Sequence, residues 1–264
     1  MADKIERLSG RVLVTGASSG IGLELAKLAA QDGCELILAA DRDLSAAEQA
    51  VRQSGAAKVQ TVEADLARPD GLRKLISVVG DQPIDVLMAN AGHGQGGAFL
   101  DQKWSEIAHV IHTNVTGTTW LIWEIGRRMR ERNHGRILVT GSIAGHLPGA
   151  FQLVYNSTKS YIDYFCFGLR NELKETNVIV TCLMPGVTDT QFFDRADADM
   201  ENTKAGQSDN KANPAKVAKD GYDALLAGDA HIVSGFMNKV QDVLAGILPE
   251  TVTAEMHRRL AKPR

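Results

Sequence analysis

Short apolar runs rich in β-branched residues alternate along this chain with longer segments whose apolar positions recur every three or four residues. "RVLVTG" (11–16), "ELILAA" (35–40) and "KVQTVEAD" (58–65) read as strands. Between them, "IGLELAKLAAQDG" (21–33) sets Ile21, Leu25, Leu28 and Ala29 on one helical stripe and stops at Gly33. "LSAAEQAVRQSG" (44–55) is a second helix closed by glycine, and "PDGLRKLISVVG" (69–80) a third with Pro69 near its start. "IDVLMANAG" (84–92) predicts a fourth strand running into a glycine-rich loop. Two helices follow over 101–112 and 114–133, then a fifth strand (135–142), a long helix (155–176) and a sixth strand (178–186). Helical segments at 214–227 and 237–261 enclose a last short strand, 231–235.

This alternation predicts βαβ units, and strands that are nearly all apolar must be buried on both faces. The expected fold is α/β: a Rossmann-type, doubly wound parallel sheet of about seven strands with helices on both faces. No linker divides the chain, so all 264 residues are expected in one domain. The polar stretch 187–213 is long for a connection and reads either as a substrate lid or as a loop helix burying Phe192 and Phe193. The amphipathic extension 237–264 ends basic; packing on a neighbouring subunit is expected, with peripheral membrane contact as the alternative.

Composition narrows the class without naming it. With 44% hydrophobic and 23% charged residues the chain is an ordinary soluble globular sequence. A net charge of −3, with Lys and Arg scattered, gives no electrostatic case for nucleic acid. Cys34, Cys166 and Cys182 lie far apart without a CxxC pair, so they read as buried thiols in a reducing compartment, and no metal is expected. The N-terminal stretch has no apolar core of a secretory signal, and no apolar run reaches the ~18 residues of a membrane span. A cytoplasmic enzyme or binding protein is the expectation.

Candidate chemistry begins at "TGASSGIG" (15–22), which follows the first strand directly and opens the first helix. Gly16, Gly20 and Gly22 leave the backbone bare, and the helix start behind them offers free N–H groups to a phosphate; Ser18, Ser19 and Ile21 complete the turn. Its glycine spacing differs from GxGxxG, and no GxxxxGK[ST] element is present. At the carboxyl ends of the following strands stand Asp41 and Arg42, then Asp65 and Leu66, then Asn90, Ala91 and Gly92. Such ends are where open parallel sheets bind ligands. Asp65 can accept from an adenine amino group or simply cap a turn. Asn90 is expected to tie neighbouring strands together.

In "YNSTK" (155–159), Tyr155 and Lys159 lie four residues apart, hence on one helix face about 6 Å apart along the axis. Taken together, "TGASSGIG", "NAG" (90–92), Asn114, Ser142, "YNSTK" and "PG" (185–186) resemble, in order and spacing, the short-chain dehydrogenase/reductase family, in its single-domain branch. The resemblance covers nearly the whole chain. It implies a nicotinamide cofactor, NAD or NADP, hydride transfer between an alcohol and a carbonyl, and a homodimer or homotetramer built through the two longest helices. It makes Tyr155 the general acid/base, Lys159 its partner at the cofactor ribose, Ser142 the holder of the substrate oxygen and Asn114 the anchor of a proton-relay water. Pro185, Gly186, Val187 and Thr188 would lie against the nicotinamide carboxamide, with Thr190 as a second polar contact. One departure is Ala89, where the family often has another asparagine before Asn90.

A free phenol titrates near 10 and is a poor base at neutral pH; a nearby ammonium favours phenolate. Cofactor choice turns on "AADRD": an acid binds the ribose hydroxyls of NAD, whereas an Arg welcomes a 2′-phosphate. Asp41 gives a slight lean to NAD. Substrate contacts are expected from His93, Ala144, His146, Phe151, Gln152 and Phe192, a partly apolar set that suits a hydrophobic or aromatic alcohol or ketone. A non-catalytic dinucleotide-binding regulator is the alternative from another class. A sugar-nucleotide epimerase or dehydratase fits less well, since no second substrate domain follows.

Overall fold

A computed structural model describes residues 4–190, 203, 207, 211–235 and 248–262. Seven strands run in chain order as β1 (Arg11–Thr15), β2 (Glu35–Ala40), β3 (Lys58–Glu63), β4 (Val86–Ala89), β5 (Gly135–Thr140), β6 (Val178–Met184) and β7 (His231–Val233). The helices are α1 (Gly20–Gln31), α2 (Ser45–Gln53), α3 (Pro69–Val79), α4 (Trp104–Ile111), α5 (Thr118–Glu131), α6 (Leu153–Glu172), α7 (Pro214–Ala227) and α8 (Glu250–Ala261).

All neighbouring strands pair in parallel, in the order β3-β2-β1-β4-β5-β6-β7. Each strand therefore needs cover on both faces, and two apolar clusters supply it. On one side Leu25, Ala26 and Ala29 of α1, Val51 of α2 and Val217 and Leu225 of α7 pack on Val12, Val14, Leu36 and Leu38. On the other, Leu72 and Leu75 of α3, Leu121 and Ile125 of α5 and Ile162 of α6 pack on Leu13, Ile37, Leu87 and Ile137. Alternate residues of one strand thus enter opposite cores, which is why the strand sequences look uniformly apolar. Chain order reverses between β1 and β4, and a crevice opens there at the carboxyl ends.

The predicted elements that fall on described residues are found with shifted edges; of the helical segment expected at 237–261, the described helix is Glu250–Ala261. Strands expected to reach Asp65, Gly92, Ser142 and Gly186 stop at Glu63, Ala89, Thr140 and Met184. The residues cut off leave the ladder and turn into the crevice walls. The two helices expected at 101–112 and 114–133 join through a π-helical segment, His112–Gly117, and Asn114 is buried inside it rather than capping a helix. Among the described residues, no helix is long and apolar enough to cross a membrane. Phe192, Phe193, most of the predicted lid and residues 236–247 lie outside the described residues.

Asn90 stitches three strands at the switch point. Its amide nitrogen donates to the carbonyls of Thr15 (3.2 Å) and Gly16 (3.4 Å), and its oxygen accepts from the Thr140 hydroxyl (3.0 Å). The Thr15 hydroxyl in turn accepts the N–H groups of Asn90 and Ala91. Asn90→Ala is expected to cost about 2 kcal/mol in urea unfolding, since part-buried partners are left unpaired; an unchanged midpoint would refute the tie.

Candidate active site

The glycine turn is shaped by what surrounds it. Gly16 (φ +65°) and Gly20 (φ +58°) adopt the left-handed backbone that favours glycine. A Cβ on Gly16 would come within 2.9 Å of Ala91 Cα, and one on Gly22 would collide with the Gly16 carbonyl. Behind the turn, α1 starts with no side-chain cap and no acidic residue in its first turn. Bare backbone in front of an uncapped helix start fits a diphosphate.

This turn forms one end of a cleft of about 460 Å³. Gly16, Ser18, Ser19, Gly20 and Ile21 line it together with Asp41, Arg42, Asp65, Leu66, Asn90, Ala91 and Gly92. Ser142, Ala144, Gln152, Tyr155 and Lys159, and then Pro185, Gly186, Val187, Thr188 and Thr190, continue the wall, and His93 also lines it. Gly22 lies beneath the turn rather than on the wall, tight against Gly16 and Asn90.

Tyr155 sits in the first turn of α6, and burial pushes its phenol up to about 12 while a hydrogen bond with Ser142 pulls the other way. The Ser142 hydroxyl donates to the Pro185 carbonyl (3.4 Å) and accepts from the Ala144 N–H (3.1 Å), which fixes it at the rim of β5. Lys159, one turn after Tyr155, is buried and donates to the Thr140 carbonyl (2.8 Å); its Nζ is 6.0 Å from the Tyr155 ring centre. Burial lowers the pKa of this ammonium. Asn114 does not line the cleft. Its side-chain amide pairs both ways with the His93 backbone (2.8 Å each) and donates to the Thr158 hydroxyl (2.9 Å). Gly92 packs against both groups: a Cβ there would lie 3.4 Å from Lys159 Nζ and 3.5 Å from Asn114 Oδ1, ordinary contact distances.

Other sequence candidates take different places. Asp65 caps its own turn, accepting from the Ala67 N–H (2.9 Å), while still facing the cleft. Asp41 and Arg42, which argue for opposite cofactors, form a two-pronged ion pair with each other (2.8 and 2.9 Å). His146 does not line the cleft: its Nε2 faces the buried Asp163 carboxylate at 3.9 Å. Phe151 also stays out. Its backbone is left-handed (φ +64°) and its ring lies under the Arg258 guanidinium, 5.1 Å away.

Arg258 belongs to α8, in the extension for which the sequence suggests packing on a neighbouring subunit. Its described part folds back on its own chain, and His257, Leu260 and Ala261 line the cleft. His257 is pinned between the Ala150 carbonyl (3.0 Å) and the Asn156 amide (3.3 Å). Burial lowers its pKa, which favours the neutral ring. Nothing local in the sequence signalled this, because a distant amphipathic helix carries no record of its partner. His109 was missed as well; its ring meets that of His93 edge-on at 5.0 Å, and both line the cleft.

Sheet order, glycine turn and a buried Tyr–Lys pair together define a doubly wound α/β protein with one cleft running from the glycine turn to that pair. The model of the family described as short chain dehydrogenase matches residues 10–201, and the chain belongs to that family. Human dehydrogenase/reductase SDR family member 11 is 30% identical over 244 residues, 88% of this chain and 94% of the relative. An oxidoreductase of Staphylococcus saprophyticus is 32% identical over 213 residues, 79% and 86% of the two chains. Among solved structures, a short-chain dehydrogenase from Sphingobium yanoikuyae in complex with NADPH superposes with a TM-score of 0.78 at 28% identity, covering 90% of this chain and 93% of the other.

In the ligand-free protein Tyr155 is expected to remain a phenol well past the ordinary value of 10.0. Subtracting the spectrophotometric titration of Tyr155→Phe from that of the unsubstituted protein checks this; a tyrosinate step at or below 10.0 contradicts the burial argument.

Proposed function

We propose that this protein is an NAD(P)-dependent oxidoreductase interconverting an alcohol and a carbonyl, with Tyr155 as the general acid/base. The observation that carries the reading is the Tyr155–Ser142 hydrogen bond in a cleft continuous with the glycine turn. Gly16, Ser18, Ser19, Gly20 and Ile21 would hold the diphosphate, Asp65 and Leu66 the adenine end, and Asn90, Ala91 and Gly92 the ribose. Pro185, Gly186, Val187, Thr188 and Thr190 would hold the carboxamide end. Bound there, the nicotinamide supplies the hydride acceptor or donor. Ser142 holds the substrate oxygen and Tyr155 exchanges its proton. Lys159 favours phenolate by its charge. Asn114 acts from behind Gly92, fixing the loop and the relay. A regulator without catalysis is disfavoured, because burying a phenol and an ammonium costs free energy that a purely structural site would avoid.

The substrate end is bordered by Ile143, Ala144, Leu147 and Leu260, with Gln152, His93 and His257 as polar contacts. That lining supports an apolar or aromatic alcohol or ketone. For the cofactor the reading leans to NAD, because a 2′-phosphate would meet an Arg42 already engaged by Asp41. Exposed Trp104, Trp123, Tyr161 and Tyr164 on α4, α5 and α6 support assembly into a homodimer or homotetramer. A cytoplasmic location is part of the same reading.

Tyr155→Phe is expected to nearly abolish turnover while dinucleotide binding stays measurable by calorimetry; retained turnover would sink the assignment. For cofactor choice, kcat/KM should be higher with NAD than with NADP. Asp41→Ala should shift the ratio toward NADP by about tenfold, a change of about 1.4 kcal/mol. A strong NADP preference in the unsubstituted enzyme refutes the lean.

A further inference from the structure

The mechanism above leaves one buried charge unused. Asp163 follows Tyr155 and Lys159 at successive turns of α6, on the same face, and is wholly excluded from solvent. Its neighbours in the sequence pattern, Ile162 and Cys166, are ordinary core residues. Two glycines make room for it: a Cβ on Gly141 would collide with Asp163 Oδ1, and one on Gly145 with Oδ2. Oδ1 accepts from the Cys182 thiol (3.4 Å), and the carboxylate accepts the backbone N–H of Ser142. Oδ2 accepts no hydrogen bond.

A carboxylate held this way is a poor stabiliser of the fold; an apolar side chain would fill the space at lower cost. What it does have is a position beside the reacting groups. The Lys159 ammonium is itself buried, with the Thr140 carbonyl as its hydrogen-bond acceptor. A buried ammonium needs a counter-charge to stay protonated. Asp163 stands one turn away, and through Ser142 it also grips the strand end that holds the substrate-binding hydroxyl.

We propose that Asp163 is a positioning residue of this active site, seating the Ser142 backbone and supplying the buried negative charge that sets the protonation of the Tyr155–Lys159 pair. The inference rests on the reading of Tyr155 as the acid/base. The titratable groups facing Asp163 are Tyr155, Lys159 and Cys166 from α6, Cys182 from β6 and His146 from the turn after β5. Cys182 is held neutral, its pKa raised well above the ordinary value first by its hydrogen-bond partner Cys166 and then by burial. Burial holds the Asp163 carboxyl up at about 6, with Lys159 pulling down, so it is ionised above that pH. Its charge then opposes phenolate at Tyr155 and supports the ammonium at Lys159.

The test is the pH profile of kcat/KM for alcohol oxidation by the full-length enzyme with saturating dinucleotide. Asp163→Asn keeps an oxygen for the Ser142 N–H and the Cys182 thiol but removes the charge. The limb assigned to Tyr155 is expected to move to lower pH by about one unit. Asp163→Ser, smaller and equally neutral, serves if the amide variant does not fold, and should shift the limb the same way. A limb that stays in place, or moves to higher pH, in a folded variant overturns the proposal. Tyr155→Phe separates the two levels. If it abolishes turnover while the Asp163 variants leave the limb unmoved, the inference alone fails; if it leaves turnover intact, the reading of the site fails with it.

Discussion

The closure of β1 against β4 is the contact on which the rest of this structure depends. These strands are neighbours in the sheet but far apart in the chain, and the crevice they leave cannot be sealed by backbone pairing alone. Thr15 and Asn90 supply the missing bonds, each side chain satisfying main-chain groups of the other strand. Asn90 extends the tie to Thr140 at the end of β5. One residue beyond each of those strand ends begins the cleft: Gly16 after β1, Asn90 after β4, Gly141 before Ser142. If the switch point splayed, the glycine turn and the Tyr155 helix would no longer face the same space.

A second constraint is electrostatic. The interior beside α6 holds a phenol, an ammonium and a carboxylate at successive turns of one helix face, all removed from water. Water would screen these charges; the protein interior does not, so each group sets the protonation of the others. Burial alone pushes Tyr155 and Lys159 both toward neutrality. The site is thus poised by opposed effects of burial, hydrogen bonding and neighbouring charge rather than by any one residue.

The C-terminal helix shows where sequence reading stopped. Its amphipathic period was plain, and burial of one face followed from it. Which surface receives that face is a long-range fact. Only the fold brings His257 to Asn156, the residue that follows Tyr155 in the chain, and so makes α8 a wall of the cleft. The same applies to His146 and Phe151. Their position between Ser142 and Tyr155 placed them near the site, but the 3-10 turn at Ile143–His146 and the left-handed backbone at Phe151 point them elsewhere.

By itself the sequence determined the strand and helix succession, the parallel sheet, the glycine turn and the Tyr–Lys pair. These rest on local periodicity, turn chemistry and short fixed spacings, all of which act within a few residues. Tertiary structure decided where strands end, which partners Asn114 takes, that Asp41 and Arg42 pair with each other, and that Asp163 is buried on the face of α6 that carries Tyr155 and Lys159. Those outcomes come from side chains meeting across the sheet and across dozens of residues, where burial and unscreened charge, not local preference, set the energy.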